Sequence, residues 1–207
     1  MNAKRKKLPI GIETFSEIIE EGHYYVDKTP FALQLIDSGK YYFLSRPRRF
    51  GKSLFVDTLR SLFEGRKELF AGLYAEDKWD WKRRFPVVSI SFSGGVLHSG
   101  AALDEKIREL LLDNQTRLGV TCTHSSISGQ FAQLLSLVRQ KFGEKVVVLI
   151  DEYDKPILDN ITDSPMALIM REGLKNLYSA IKQADADIRF VFMTGVSKFS
   201  KVTLFSG

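Results

Sequence analysis

Residues 41–54 read YYFLSRPRRFGKSL and place a basic loop between an apolar stretch and an amphipathic one. Residues 41–44 are aromatic and apolar, as a buried central strand is. From Gly51 to about Glu64 the apolar side chains recur at helical spacing, and Gly65 is a typical helix end. The stretch therefore predicts a strand, a loop and a helix in direct succession.

The loop is a near match to GxxxxGK[ST], a pattern whose backbone N–H groups bind phosphate. In that pattern Lys52 supplies a positive charge to the β- and γ-phosphates, and the hydroxyl of Ser53 suits Mg²⁺. Arg46 replaces the first glycine; if that position needs a positive φ, arginine costs about 1 kcal/mol there. On these residues alone, a chance basic loop remains the alternative. The predicted nucleotide contacts are Pro47, Arg48, Arg49, Phe50, Gly51, Lys52, Ser53 and Leu54.

A second motif follows about a hundred residues later, where VVVLI at 146–150 runs into Asp151 and Glu152. The β-branched run indicates a strand buried on both faces. Such a strand delivers its carboxylates to the edge of the sheet where α/β proteins bind ligands. We predict that Asp151 holds Mg²⁺ and that Glu152 orients and polarises the attacking water. A helix cap is the alternative, but it leaves the upstream loop unexplained.

Three more polar residues are candidates near these motifs. Thr194 ends a predicted strand at 188–193, where its hydroxyl could reach the γ-phosphate or the attacking water, with Ser197 behind it. Either hydroxyl could equally cap the next turn. Asp154 suits a cap or turn at least as well as a catalytic role, because Lys155 and a proline follow it.

The rest of the chain alternates strand and helix patterns. A strand is predicted at 87–92, and a helix at 30–38 with Thr29 as its N-cap. Further amphipathic helices are predicted around residues 103–111, 131–138 and 164–181. This alternation predicts an α/β fold with a mainly parallel sheet and helices on both faces. Together with the phosphate-binding loop, it predicts a three-layer P-loop NTPase. We expect residues 1–40 to be a helical preface packed on the core and 41–207 to be the P-loop domain.

Composition narrows the class of protein. The 207 residues are 44% hydrophobic and 27% charged, which is typical of a soluble globular domain. The sequence has neither an 18-residue apolar run nor a signal peptide, so a cytoplasmic location is expected. A single cysteine and three scattered histidines predict neither a disulfide nor a zinc site.

The net charge of +5 includes three basic clusters, at residues 4–7, in the loop and at 82–84. Polyanions such as nucleic acid are therefore candidate partners. For the first and third clusters, a solvated tail and a solvated turn are the alternatives.

Five stretches together resemble a known bacterial family, the predicted AAA-ATPases, and they span nearly the whole chain. They are LPIGIETFSEII, YYVDKT, FLSRPRRFGKSL, VVLIDEYDKPI and MTGVSKFSKVTLFSG. The resemblance implies an ASCE-type P-loop fold in which the strand before the loop is central, and arginine at position 46 is usual in that family. It implies ATP binding by Gly51, Lys52 and Ser53, Mg²⁺ at Asp151 and a catalytic base at Glu152.

Members of that family often carry a C-terminal PD-(D/E)XK-like nuclease domain, of which this sequence contains nothing. The fifth strand and any helical lid also have no counterpart in the sequence. We therefore expect a fragment of a longer protein, ending after the fourth core strand.

Three functions fit these motifs. The first is a Mg²⁺-dependent ATPase in which Glu152, Lys52 and Thr194 are catalytic and hydrolysis drives a conformational change, in nucleic-acid transactions through the additional domain. The second is a nucleotide-binding switch or interaction module with negligible turnover. The third, a small-molecule kinase, is disfavoured, because consecutive Asp151 and Glu152 suit water activation and no arginine-rich lid follows Thr194.

Overall fold

A computed structural model describes residues 6–197, which form a sheet of four parallel strands in the order β1-β4-β3-β2. The strands are β1 Tyr41–Ser45, β2 Val87–Ser91, β3 Val146–Asp151 and β4 Ile188–Gly195. The prediction of an α/β fold with a parallel sheet is confirmed. Part of the basic cluster at 4–7 and the end of the MTGVSKFSKVTLFSG stretch lie outside the described residues.

Helices cover both faces of this sheet, as predicted. They are α1 Phe15–Glu20, α2 Thr29–Ser38, α3 Lys52–Phe63, α4 Gly100–Leu118, α5 Ile127–Phe142, α6 Lys155–Leu158 and α7 Ser164–Gln183. Short 3-10 helices cover Lys67–Phe70, Tyr74–Asp77 and Asp185–Asp187. None of the helices between residues 6 and 197 combines the length and apolarity that a bilayer span requires.

Strand β3 shows why the domain has three layers. Its side chains alternate between the faces, and all of its residues are buried. Val146, Val148 and Ile150 belong to the core that α4, α5 and α7 cover. Val147 and Leu149 belong to the opposite core, which includes buried residues of α2 and α3. Because neither face of this strand meets solvent, apolar and polar residues do not alternate along it. This explains the continuous VVVLI run.

Strand β1 lies at one edge of the sheet in the part of the chain that the structure describes. It pairs with β4 alone, and its five residues are all partly exposed. The expectation that this strand is central is therefore wrong for residues 6–197. Strand β4 lies between β1 and β3, so the loop after β1 and the carboxylates after β3 are two strand spacings apart, about 10 Å.

Helix α2 begins with a different cap from the predicted one. The backbone N–H and the hydroxyl of Thr29 both donate to Oδ1 of Asp27, at 2.8 and 2.7 Å. Thr29 is the first residue of α2 and the N-cap is Lys28, whose side chain makes no capping bond; the Thr29 N–H is satisfied instead by Asp27, one residue further upstream. The buried Thr29 hydroxyl also accepts a bond from the Ala75 N–H at 3.0 Å, which ties the start of α2 to the Tyr74–Asp77 turn. The predicted stop at Gly39 is confirmed, since α2 ends at Ser38.

The first two helices contact the same core as α3. Phe15 and Ile18 of α1 are fully buried, and the Phe15 N–H donates to Oδ2 of Asp57 on α3 at 2.7 Å. This carboxylate occupies the position of a helix N-cap, although it comes from another helix. The division of the chain at residue 40 stays a prediction.

Replacing Asp57 by alanine should loosen α1 from α3. We expect the free energy of unfolding to fall by about 1 kcal/mol, because a helix N-terminus loses its capping carboxylate. Asp104→Ala, at an exposed position of α4, is the matched control, since both changes replace a helical aspartate by alanine. Urea denaturation of the two variants measures the difference, and equal stabilities would refute the capping role.

Candidate phosphate-binding site

The loop after β1 begins one residue later than its motif. The Arg46 N–H donates to the Gly195 carbonyl at 3.1 Å, so Arg46 continues the pairing between β1 and β4. The left-handed residues of the loop are Arg49, with φ 67°, and Gly51, with φ 70°. The expected strain at Arg46 is therefore at Arg49 instead, at a cost of about 1–2 kcal/mol. Alternation of right- and left-handed residues is the backbone pattern of an anion-binding nest.

Lys52 is the most enclosed charged residue of the loop. Its side chain is at the start of α3, only 5% of the residue is exposed, and Nζ donates to the Pro47 carbonyl at 3.0 Å. Within residues 6–197 it forms no ion pair with a carboxylate. An ammonium has three donors, and a buried positive charge is costly without an anion. Lys52 therefore suits an incoming phosphate.

The other predicted loop contacts have different surroundings. Arg48, Arg49 and Phe50 are exposed, whereas Ser53 and Leu54 in the first turn of α3 are partly buried. Leu54 packs against the core on its side of the sheet. Arg48 and Lys52 are the two loop side chains that the structure brings to one cleft with Glu152. That cleft is lined by Arg48, Lys52, Glu152, Asp154, Lys155, Leu158, Gly195 and Val196.

The hydroxyl of Thr194 joins the two predicted carboxylate residues. It donates to Oδ1 of Asp151 and accepts from the Glu152 N–H at 3.2 Å. Asp151 and Thr194 are both buried. A carboxylate oriented in this way cannot rotate without breaking a buried hydrogen bond, which costs about 1–3 kcal/mol. Thr194 thus fixes the acidic strand end, and its predicted contact with the γ-phosphate or attacking water stays a prediction.

Glu152 directly follows β3 in a left-handed conformation, with φ 53°. Burial raises the pKa of its carboxyl above the usual value, and the charge of Asp151, with a smaller effect of Glu13, raises this pKa further. Lys155 and Lys52 partly offset the rise in this pKa. A glutamate with a raised pKa is a stronger proton acceptor than an ordinary one.

Of the cap and turn roles predicted as alternatives for Asp154, the structure supports the turn role, since its side chain makes no capping bond at the start of α6. Only 2% of Asp154 is exposed, and its carboxylate accepts the N–H groups of Val196, at 3.0 Å, and Ser197, at 2.6 Å. The Ser197 hydroxyl also donates to Asp154, at 2.7 Å. Asp154 therefore fixes the turn after β4. The hydroxyl of Ser197 takes part in the same turn through its bond to Asp154.

The profile of one family, described as Predicted AAA-ATPase, matches residues 9–205. The chain belongs to the predicted AAA-ATPase family. It is also 58% identical over 204 residues to a protein of Azotobacter chroococcum mcd 1 described as "Uncharacterized protein in vnfD 5'region". The match covers 98% of this chain and 40% of that relative, so the chain spans less than half of the relative's length. No solved structure matches the chain.

Four residues that line the cleft of this AAA-ATPase-like chain have no counterpart among the site residues predicted from the sequence: Lys155, Leu158, Gly195 and Val196. For Lys155 the sequence does carry a signal, because its spacing of four from Asp159 is typical of an ion pair on a helix. Gly195 is the last residue of β4. A Cβ atom there would lie 2.3 Å from Cε1 of Tyr153, so the position has no room for a side chain. No local sequence signal predicts that contact.

We expect Glu152→Gln to stabilise the fold at neutral and alkaline pH. A folded-state pKa above the unfolded value means that ionisation of Glu152 destabilises the fold as pH rises through the folded pKa. The gain in the free energy of unfolding should therefore be largest above the folded-state pKa. It should vanish near pH 4, which is below the unfolded-state pKa of about 4.3. Urea denaturation across this pH range measures it. Glu105→Gln, at an exposed position of α4, is the control, and a pH-independent gain would contradict the interpretation.

Gly195→Ala should lower the free energy of unfolding by about 1–3 kcal/mol, because the added methyl group overlaps the Tyr153 ring. Gly95→Ala is the matched control, since its Cβ would meet nothing within 4 Å and its φ is not in the left-handed range. Thermal and urea unfolding compare the two variants. If Gly195→Ala is as stable as the control, close packing of the Tyr153 ring on position 195 is refuted.

Proposed function

We propose that this chain is an ATPase module that binds ATP with Mg²⁺ and hydrolyses it. The observation that supports this most directly is the placement of a buried, incompletely satisfied ammonium, that of Lys52, in one cleft with the raised-pKa carboxyl of Glu152. Lys52 and the backbone of residues 47–51 would bind the phosphates. Phe50, Ser53 and Leu54 would complete the nucleotide contacts.

Mg²⁺ fits this site only together with phosphate. No group of three or more His, Cys, Asp or Glu residues that could hold a metal occurs in the described part of the chain. Mg²⁺, however, is commonly held by one or two carboxylates together with substrate phosphates and water. Asp151 and the hydroxyl of Ser53 would be the protein ligands, and the bound ion would neutralise phosphate charge.

Glu152 would accept a proton from the water that attacks the terminal phosphorus. As the new P–O bond forms, the bond from that phosphorus to its bridging oxygen breaks, which gives ADP and inorganic phosphate. Lys52 would offset the charge that moves onto the bridging oxygen. Thr194 would act as a positioning residue, because its hydroxyl holds Asp151 and the backbone of Glu152 in place.

The proposed output of hydrolysis is a conformational change passed to another part of a longer protein. The relative's greater length supports this, since the match covers only 40% of it. A nuclease-like domain acting on nucleic acid is the candidate partner that follows from the family resemblance. Within the described chain, Arg83 of the basic cluster at 82–84 already pairs with Glu144 at 3.2 Å, so that cluster adds little support for direct binding.

A nucleotide-binding switch with negligible turnover is the second candidate. The observation that favours it is the edge position of β1 in the described residues, which leaves the loop-bearing strand paired on one side. If additional chain is needed to hold that strand, this chain alone would bind nucleotide without hydrolysing it efficiently. Phosphate release by this chain and by a longer version of the protein, with and without DNA, separates the two, because fast turnover in either excludes a switch.

Substitutions of Glu152 and Lys52 test the ATPase assignment. Glu152→Gln should keep ATP binding and lower the rate of phosphate release by about 10²–10⁴-fold, since it removes the proton acceptor. Lys52→Ala should weaken ATP binding itself, and Lys106→Ala on the surface of α4 is the control for loss of a lysine. Calorimetry measures binding and a phosphate assay measures turnover. Unchanged hydrolysis by Glu152→Gln would refute the role of Glu152, and absence of ATP binding by the unmodified chain would refute the function.

A further inference from the structure

Asp159, just after α6, lies between two cations at the cleft. Nη2 of Arg48 is 4.0 Å from its Oδ1, and the Lys155 ammonium donates to its Oδ2. Arg48 belongs to the phosphate loop and Lys155 to α6, so one carboxylate links the loop to the segment that follows β3. Arg48 and Lys155 also line the cleft that contains Glu152. Nothing in the two sequence motifs assigns a role to Lys155 or Asp159.

The two contacts of Asp159 differ in environment. The side chains of Lys155 and Asp159 are 18% and 12% exposed, whereas that of Arg48 is 71% exposed. Solvent screens an exposed pair strongly and a partly buried pair much less. The separation of 4.0 Å between Arg48 and Asp159 is also long for an ion pair. The contact of Arg48 is therefore the weak one, and Lys155 is the cation that stays with Asp159.

We propose that Asp159 is an electrostatic latch on the phosphate loop. Its carboxylate holds Arg48 near α6 until the terminal phosphate of a nucleoside triphosphate replaces Asp159 as the partner of Arg48. The proposal rests on the function proposed above, and it makes the loop sensitive to the third phosphate. Arg48 then contacts that phosphate, while Lys155 remains paired with Asp159 beside Glu152. The connection between the loop and α6 opens with ATP and stays closed with ADP.

Charge and geometry favour this exchange. A terminal phosphate offers about two negative charges and three acceptor oxygens, and an arginine guanidinium binds such a group through two parallel hydrogen bonds. Asp159 offers one charge, which it already shares with Lys155. The terminal phosphate must also lie within reach of the water that Glu152 would activate, and Arg48 faces the same cleft as Glu152. An ADP molecule lacks the group that competes with Asp159.

Asp159→Asn in the full chain tests the latch by removing the competitor for Arg48. The dissociation constants of a non-hydrolysable ATP analogue and of ADP, both with Mg²⁺, are measured by calorimetry for four proteins: unmodified, Asp159→Asn, Arg48→Gln and the double variant. Asp159→Asn should tighten binding of the analogue by about two- to fivefold, the fold-change of an exposed ion pair, with a smaller effect on ADP. Arg48→Gln should weaken binding of the ATP analogue more than binding of ADP. In the double variant, Asp159→Asn should bring no further increase in affinity for the analogue.

The latch is refuted if Asp159→Asn strengthens binding of the ATP analogue as much in the Arg48→Gln background as in the unmodified chain. It is also refuted if Asp159→Asn changes the affinity for ADP as much as the affinity for the analogue. Glu109→Gln removes one negative charge from α4, away from the cleft, and controls for net charge. Should Asp159→Asn fail to fold, the comparison of Arg48→Gln with the unmodified chain decides, because equal losses for analogue and ADP refute contact with the terminal phosphate. Failure of the proposed function is distinct, since the unmodified chain would then bind neither nucleotide.

Discussion

The candidate site depends on the position of β4 between β1 and β3. Its last two residues hold both halves of the site: the Gly195 carbonyl accepts the Arg46 N–H, and the Thr194 hydroxyl joins Asp151 to the backbone of Glu152. Two motifs a hundred residues apart are thus fixed against the same pair of residues. The absence of space for a side chain at position 195 has the same cause, because the segment after β3 packs directly on the end of β4.

The two buried charged residues of the cleft, Asp154 and Lys52, differ in how completely the protein satisfies their charges. Asp154 is nearly inaccessible, but the backbone N–H groups of Val196 and Ser197 satisfy it, so its charge is stabilised within the protein. Lys52 is also buried, and the Pro47 carbonyl satisfies only part of its ammonium. The incompletely satisfied cation is the one that gains most from an added anion.

The sequence predicted the elements of the site better than their arrangement. The VVVLI run, the amphipathic residues after Gly51 and the Gly-Lys-Ser triplet carry local periodicity and composition, and each lies where that pattern indicates. Strand order is set by packing between distant segments, so neither the place of β4 nor the edge position of β1 had a local signal.

The conformations of single residues also depend on distant segments, so the local sequence did not predict them. Arg46 is engaged by the distant Gly195 and Thr29 by the distant Ala75, so the local sequence does not show that the left-handed residue is Arg49 or that α2 begins at Thr29. An arginine in a left-handed conformation is held by the surrounding structure at a cost, and such strain is concentrated in functional segments. Here the strained residue stands between Arg48, which has a weak partner in Asp159, and Gly51, whose conformation starts α3. Arg46 joins one end of the loop to β4 and Gly51 starts α3 at the other, so the exposed arginines between them are the residues whose contacts would change in the proposed phosphate binding.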